Sequence, residues 1–223
     1  MAAKRDKNSY DNILFVEGSS DLYAIAAIRD KRGVEDNFFI EDSKDVDRAI
    51  NHFEQEIFNN KKRVIGIVVD ADNDLSKRWL QIKGVIDKSK SDINNTDNKF
   101  PATPADIPAE GLILDSIDSI SCRVGVWIMP NNCTIGTLED LLVLLAPEGD
   151  KLMSRADEIL ADLEKDALNK YSTKDRTKAK IYSFLAWQKE PGFPLGKSIT
   201  SKCLDASSSN ADTFVEWLTK LFS

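Results

Sequence analysis

The feature that most constrains this chain is the run RVIGIVVD at residues 63–70. The run is almost entirely apolar and rich in β-branched residues, and it lacks the polar alternation of a strand with one face in water. It therefore predicts a strand that is buried on both faces, as in the centre of a parallel sheet. Because the run ends in Asp70, a charged group is expected where this strand reaches the surface.

Other strand-like runs alternate with segments of helical periodicity. Strands are predicted at residues 12–17 (NILFVE), 37–40 (NFFI) and 123–130 (RVGVWIMP), and helices at 21–29, after the candidate cap Ser43, at 74–86 and at 136–145. Since strand and helix alternate four times, the predicted fold class is α/β, with a mainly parallel central sheet flanked by helices. Residues 89–110 are polar, contain three prolines and predict a long surface loop or hairpin-like insertion.

The last third of the chain is predicted to be mostly helical. Apolar residues recur at helical spacing in residues 152–168, 174–187 and 214–222. We therefore expect an α/β core over residues 1–150 and a helical C-terminal extension over residues 151–223 that packs on this core. With 223 residues, of which 42% are hydrophobic, the chain has enough apolar material for such a unit.

The composition excludes several kinds of site and location. His52 is the only histidine, which argues against a His-rich metal site or a Ser/His/Asp triad, and it is interpreted as a helix-surface or boundary residue. Three cysteines without CxxC spacing argue against a disulfide framework and a cysteine zinc site. No run approaches the roughly 18 apolar residues of a membrane span, and the N-terminus lacks a signal-peptide core. A cytoplasmic location is therefore expected, with no membrane partner.

Three carboxylates are expected at one edge of the predicted sheet. Glu17 follows the first strand, and Asp70 and Asp72 lie at the end of the central strand, where ligands bind in parallel α/β sheets. Residues i and i+2 of a strand end point to the same side, so both aspartates can face one cation. Ligands that are all oxygen favour Mg²⁺ or Mn²⁺. Taken alone, DADND is equally well explained as a turn with helix-capping residues.

Two blocks together favour the metal-site interpretation. FVEGSSD at residues 15–21, followed by VVDAD at residues 68–72, resembles the Toprim domain of bacterial primases, topoisomerases and old-type (overcoming lysogenization defect) nucleases. The resemblance implies that Glu17 is a general acid/base or metal ligand, that Gly18 permits a sharp turn, and that Asp70 and Asp72 bind Mg²⁺. Asp21 matches an acidic position that is common after the turn.

The wider resemblance covers most of the chain. GVWIMPNN at residues 125–132, GTLEDLL at 136–142 and FLAWQKEPGFPLG at 184–196 are similar to a family of stand-alone Toprim-like proteins related to old-type nucleases. Ser19 and Ser20 depart from the basic residue that many nuclease-like motifs place after the glycine. No P-loop or topoisomerase tyrosine region is evident, which argues against a complete topoisomerase, primase or ATPase-coupled nuclease.

Glu139 is a further candidate metal ligand. It lies in the first turn of the helix predicted at residues 136–145, together with Asp140, where the helix dipole alone favours negative charge. If the strand before this helix adjoins the strand that ends in Asp70, Glu139 reaches the same edge of the sheet. It can then complete a second metal position, as in two-metal phosphoryl transfer. Asp74 is interpreted as a helix cap.

Basic residues are concentrated late in a chain whose formal net charge is −7. Residues 171–202 contain seven Lys and Arg against two acids, a balance of +5 that leaves −12 elsewhere. Lys178 and Lys180 belong to this patch, which offers a local surface for a phosphate backbone, although without the metal site a solvated helix face is the favoured explanation. The overall acidity disfavours non-specific adhesion to nucleic acid.

These features lead to two functional hypotheses. The first is a metal-dependent phosphoryl-transfer enzyme, a nuclease acting on DNA or RNA, with Glu17, Asp70 and Asp72 as catalytic residues. Its predicted cofactor-binding residues are Gly18, Asp21, Lys178 and Lys180, and the late lysines would bind the phosphate backbone. The second is a non-catalytic module that binds a nucleotide or a protein partner. A phosphatase that uses Asp70 as its nucleophile is disfavoured, because it leaves Glu17 unexplained and VDADND lacks the usual small or hydroxyl pair.

Overall fold

The computed structural model describes residues 6–59, 61–91, 100–117 and 122–223. Within these ranges the strands are β1 Asn12–Val16, β2 Phe38–Asp42, β3 Val64–Asp70, β4 Leu112–Leu114 and β5 Arg123–Met129. The α-helices are α1 Ser19–Arg32, α2 Val46–Asn59, α3 Leu75–Ser91, α4 Leu138–Leu144, α5 Lys151–Lys165, α6 Arg176–Ala186, α7 Leu195–Thr200 and α8 Asp212–Phe222. None of the described helices is long and apolar enough to cross a membrane.

The five strands form one sheet in the order β2-β1-β3-β5-β4. Strands β1, β2, β3 and β5 are parallel, and β4 pairs antiparallel with β5 at the edge. Six of the seven residues of β3 are buried, as its β-branched sequence predicts for a central strand. The predicted fold class, a mainly parallel α/β sheet flanked by helices, is confirmed.

Helices cover both faces of the sheet and create two hydrophobic cores. On one face, Ile65, Ile67 and Val69 of β3 share a core with α2 and α3. On the other face, Val64 and Val68 share a core with α1 and with helices of the C-terminal third. The helices after residue 150 thus complete one layer of the sheet, whereas the domain boundary at that residue remains a prediction.

Glycines allow two C-terminal helices to approach the rest of the fold closely. Gly66 and Gly125 are paired in register on β3 and β5, and a Cβ built on Gly125 would lie 2.5 Å from Leu221 Cδ2 of α8. A Cβ on Gly196 of α7 would overlap the backbone oxygen of Tyr23 in α1. These residues therefore set the distance at which α8 meets the sheet and α7 meets α1.

Several predicted elements differ from those observed. Strand β4 and helix α7 were not predicted, because three and six residues are too few to display a clear period. Helix α3 continues to Ser91, beyond its predicted end. The predicted surface loop at residues 89–110 partly lies outside the described residues, but Phe100 and Ile107 are buried in the core beside α3. The described residues 100–110 form neither helix nor strand and are mostly exposed, as predicted for a surface loop, and these two side chains anchor them to the core.

Candidate metal and phosphate site

The ends of β1 and β3 form the floor of the candidate site. Glu17 follows β1 directly, and Asp70 is the last residue of the adjacent strand β3. The backbone N–H of Asp70 donates a hydrogen bond of 2.8 Å to Oε1 of Glu17. The structure therefore brings these two predicted site residues into direct contact, because parallel neighbours end at the same edge of the sheet.

The first turn of α1 adds a third acidic side chain. Asp21 is buried, and its Oδ2 accepts a hydrogen bond of 3.1 Å from the backbone N–H of Gly18. Gly18 itself is extended, with φ of −152°, and a Cβ built there would lie 3.6 Å from Asp21. The turn before α1 therefore does not require glycine, in contrast to the role that the Toprim resemblance implies for this position.

The start of α4 forms the next wall of the site. Gly136 pairs with Asp72 through two backbone hydrogen bonds of 2.9 Å, which bring the beginning of α4 to the end of β3. The backbone N–H of Leu138 then donates a hydrogen bond of 2.9 Å to Oδ1 of Asp70. Glu139, only 6% exposed, follows directly and acts electrostatically on both Asp70 and Asp21. Glu139 therefore lies with the other carboxylates.

The neighbouring acids Asp140 and Asp74 have structural roles. Asp140 Oδ2 accepts a hydrogen bond of 2.8 Å from the N–H of Thr137, the N-cap of α4. Asp74 Oδ1 accepts a hydrogen bond of 2.9 Å from the N–H of Lys77 at the start of α3. Both side chains satisfy backbone donors that a helix start leaves without partners. The interpretation of Asp74 as a helix cap is confirmed.

The shared location raises the pKa of three of these carboxyl groups. Burial, together with Glu17, Asp21 and Glu139, raises the pKa of Asp70 to about 9. Burial is also the main cause for Glu17, whose pKa is raised to about 7, and for Asp21, whose pKa is raised to about 6. Loss of hydration and mutual repulsion both disfavour the charged form. At neutral pH the cluster therefore retains protons unless a cation neutralises it.

Asp72 lies apart from this cluster. Its φ of 52° is left-handed, so the alternation of side chains along β3 does not continue to this residue. Its carboxylate is 57% exposed and forms an ion pair of 2.8 Å with Arg78 of α3. Ala71, which the alternation places on the opposite side, is buried against α2 and α3.

The two late lysines differ in their relation to the site. Lys178 Nζ lies 3.4 Å from Oε1 of Glu139, and its side chain is 57% exposed, so it borders the acidic cluster. Lys180 Nζ lies 3.3 Å from Oδ2 of Asp157 in α5, and its side chain is largely buried. Arg176 also pairs with Asp157 and Glu164 of α5. Acids of α5 thus neutralise part of the basic patch.

The donor chemistry of the cluster fits a hard divalent cation, but its arrangement is incomplete. Glu17, Asp70 and Glu139 offer only oxygen atoms, and burial leaves their charge without the hydration that it would have in water. Within the described ranges, however, no three His, Cys, Asp or Glu side chains converge as a preformed metal site. The ion pair between Asp72 and Arg78 explains part of this absence, because Asp72 belongs to the predicted ligand set and its carboxylate lies away from the other ligands.

Three contributors to the site were not singled out from the sequence. Arg78 binds both the Asp70 carbonyl and the Asp72 carboxylate. Gly136, with φ of 139°, joins the start of α4 to Asp72, and a Cβ there would lie 2.7 Å from Asp140 Oδ2. The Leu138 N–H is a backbone group, so its side chain carries no signal. The glycine before a capped helix was the one clue available in the sequence.

Comparison with known proteins places the chain in a family. No curated protein matches its sequence. Among solved structures, the C-terminal region of the Burkholderia pseudomallei OLD protein is similar, with a TM-score of 0.44 and 12% sequence identity. That similarity covers 96% of this chain and 99% of the other. A family model matches residues 11–223, and the chain therefore belongs to the family described as protein of unknown function DUF3226.

Proposed function

We propose that this protein is a phosphoryl-transfer enzyme that depends on Mg²⁺ or Mn²⁺, and that it hydrolyses phosphodiesters of DNA or RNA. The observation that carries the proposal is the gathering of Glu17, Asp21, Asp70 and Glu139 at the carboxyl ends of parallel strands. A bound cation is the natural compensation for such a cluster. The resemblance of residues 15–21 and 68–72 to the Toprim domain supports the same assignment.

Each residue of the site has a proposed role. Asp70, Asp72 and Glu139 would hold the cation with Glu17, and a bound cation would stabilise negative charge on a phosphate. Glu17, with a pKa raised to about 7, can accept or release a proton near neutral pH. Asp21 and the N–H of Gly18 line the same side of the cluster. The exposed ammonium group of Lys178 can contact a phosphate.

The test of catalysis is a cleavage assay with Mn²⁺ on single-stranded DNA, nicked DNA and RNA. We expect weak cleavage that Glu17→Gln reduces by about 10²-fold or more, since this variant removes the proton acceptor at nearly constant shape. Circular dichroism and thermal unfolding verify that the variant is folded. Full cleavage by a folded Glu17→Gln protein would remove Glu17 from the chemistry.

The proposed contact between Lys178 and a phosphate can be tested with Lys180, a lysine of the same helix, as the control. Lys178→Ala should weaken binding of nucleic acid and lower the slope of log affinity against log salt by about one contact, because its ammonium group borders the cluster. Lys180→Ala should change this slope less, because Asp157 already neutralises that lysine. Equal effects of the two substitutions in a salt titration would contradict the assigned role of Lys178.

The net charge and the paired basic residues favour a second candidate function. A chain of net charge −7 whose Arg176 and Lys180 pair with acids offers little surface for a long polyanion. A non-catalytic module that binds a nucleotide with the same acidic edge is consistent with both facts. Cation-dependent binding of a nucleotide, without cleavage of any of the three substrates across several metals, would favour this second function.

A further inference from the structure

Arg78 makes an unusual set of contacts beside the candidate site. Its Nε donates a hydrogen bond of 2.9 Å to the backbone oxygen of Asp70, and its Nη2 donates one of 2.8 Å to Oδ2 of Asp72. Its Nη1 donates one of 3.1 Å to Gln81. The side chain of Arg78 is only 11% exposed. The guanidinium group is therefore fixed between the end of β3 and the first turns of α3.

Asp72 is fixed at its backbone, whereas its side chain is exposed and is held by Arg78 alone among the contacts described. Its N–H and carbonyl both bond to Gly136, so the backbone position is fixed relative to α4. Its carboxylate is 57% exposed and borders, with Arg78 and Lys77, an open cavity of about 350 Å³. A rotation about the side-chain torsions of Asp72 therefore requires no rearrangement of the core.

Asp72 and Arg78 both act on the carboxylate cluster. The charge of Asp72 raises the pKa of Glu17, whereas the charge of Arg78 lowers it. Both charged groups thus lie within electrostatic reach of Glu17, although neither bonds to it. Two carboxylates of the predicted ligand set already have cationic partners: Glu139 is 3.4 Å from Lys178, and Asp72 forms the shorter contact of 2.8 Å with Arg78.

We propose that Arg78 is a clasp that competes with the divalent cation for the carboxylate of Asp72. In the cation-free protein the guanidinium group holds Asp72 away from Glu17 and Asp70. With a cation held at the cluster, Asp72 would join Glu17 and Asp70 as a ligand in place of its ion pair with Arg78. The Nη2 group of Arg78, which lines the open cavity, would then be available to donate a hydrogen bond to a substrate phosphate, while its bonds to the Asp70 carbonyl and Gln81 remain. This inference rests on the proposed cation dependence and adds a positioning role for Arg78 to it.

The test measures Mn²⁺ affinity by isothermal titration calorimetry, without any activity. Removing a competitor should strengthen binding, so Arg78→Gln should bind Mn²⁺ about fivefold more tightly than the wild-type protein, a size typical of one partly exposed ion pair. Lys77→Gln is the matched control, because Lys77 is exposed, lines the same cavity and carries the same charge. It should change the affinity by less than about twofold.

A double-mutant cycle separates competition at Asp72 from a general effect of charge. In an Asp72→Asn background the competition is absent, so Arg78→Gln should no longer strengthen Mn²⁺ binding. If it strengthens binding equally in both backgrounds, or weakens it in the wild-type background, the clasp is ruled out and Arg78 only supports the structure.

A conservative variant guards against loss of folding. Arg78→Lys keeps the charge but cannot bond to the Asp70 carbonyl and Asp72 as a fork, so it should strengthen Mn²⁺ binding by less than Arg78→Gln. Weaker Mn²⁺ binding by a folded Arg78→Lys protein would also overturn the clasp. Absence of Mn²⁺ binding in the wild-type protein and in all variants would overturn the proposed function, and the clasp with it. Binding that no Arg78 substitution strengthens would overturn the clasp alone.

Discussion

Among single residues, Asp70 shows how the candidate site lowers the stability of the folded protein. Its backbone N–H donates a hydrogen bond to Glu17, and its carboxyl group accepts one from the N–H of Leu138. Even so, burial and three neighbouring acids raise the pKa of Asp70 to about 9. At this carboxyl group the folded protein therefore binds more protons than the unfolded chain at any pH between the ordinary value of 3.8 and about 9. Stability is consequently greatest at low pH within this window and falls as the pH rises.

The cation-free protein should therefore become less stable between pH 5 and pH 8.5. Asp70→Asn keeps an oxygen for the Leu138 N–H but removes the charge, so it should raise the free energy of unfolding at pH 8 by on the order of 1–2 kcal/mol and flatten the pH slope. Urea unfolding in the presence of a chelator measures both quantities.

Asp74→Asn is the control for this prediction. It preserves the capping oxygen on an exposed side chain and should change the free energy of unfolding by less than about 0.5 kcal/mol. If the cation-free Asp70→Asn protein is less stable than the wild type at pH 8, the prediction that the charge of Asp70 destabilises the fold is wrong.

At the scale of elements, the position of α1 depends on α7. The first turn of α1 carries Asp21 into the acidic cluster, while further along the same helix Tyr23 meets Gly196 backbone to backbone. The separation of these two helices thus bears on the geometry of the site. Glycine is needed at residue 196 because of this close approach, and not because of an unusual backbone conformation.

Gly196→Ala should therefore lower the free energy of unfolding by about 1–3 kcal/mol, because a methyl group there overlaps the Tyr23 carbonyl and must push α7 away from α1. Gly84→Ala is the matched control within α3, where an added Cβ would meet nothing within 4 Å. It should raise the free energy of unfolding by about 0.5–1 kcal/mol through helix propensity. Urea unfolding of both variants tests the contrast, and equal effects would contradict it.

At the scale of the whole molecule, the distribution of charge differs from the distribution along the sequence. The positive balance of residues 171–202 is offset in space by acids of α5, which pair with Arg176 and Lys180. Lys178 instead faces Glu139 in the acidic cluster. In the described residues the acidic edge is therefore bordered by the ammonium group of Lys178, a distribution of charge that suits a cation beside a phosphate group.

Binding of a cation to this edge should stabilise the entire fold. Mn²⁺ at about 100 times its dissociation constant contributes about 2.7 kcal/mol, which raises Tm by roughly 5–11 °C for a chain of this size. Asp70→Asn combined with Asp72→Asn should abolish this shift while the protein remains folded. Differential scanning calorimetry with and without Mn²⁺ provides the measurement.

Two exposed aspartates at the end of α5 serve as the control for this loss of charge. Asp162→Asn combined with Asp166→Asn removes the same number of charges elsewhere and should retain the full Mn²⁺ shift. A Mn²⁺ shift that persists in the Asp70 and Asp72 double variant would place the ion at another site.

The central sheet and the edge at which acidic residues gather could be predicted from sequence patterns. Buried parallel strands consist of continuous apolar and β-branched runs, so the sequences of residues 63–70 and 123–130 predict strands. Because parallel strands end at the same edge of the sheet, Glu17 and Asp70 are then expected side by side. Elements too short for a clear period, such as β4 and α7, could not be predicted in this way.

The partners of the side chains at that edge could be identified only in the folded structure. The alternation that places Asp70 and Asp72 together holds only while the backbone stays extended, and the bridge to Gly136 ends it at Asp72. Likewise, Lys180 is neutralised by Asp157 of α5, which lies more than twenty residues away in the chain. Local sequence patterns fix local conformation, whereas ion pairs between separate elements depend on packing that no single segment encodes.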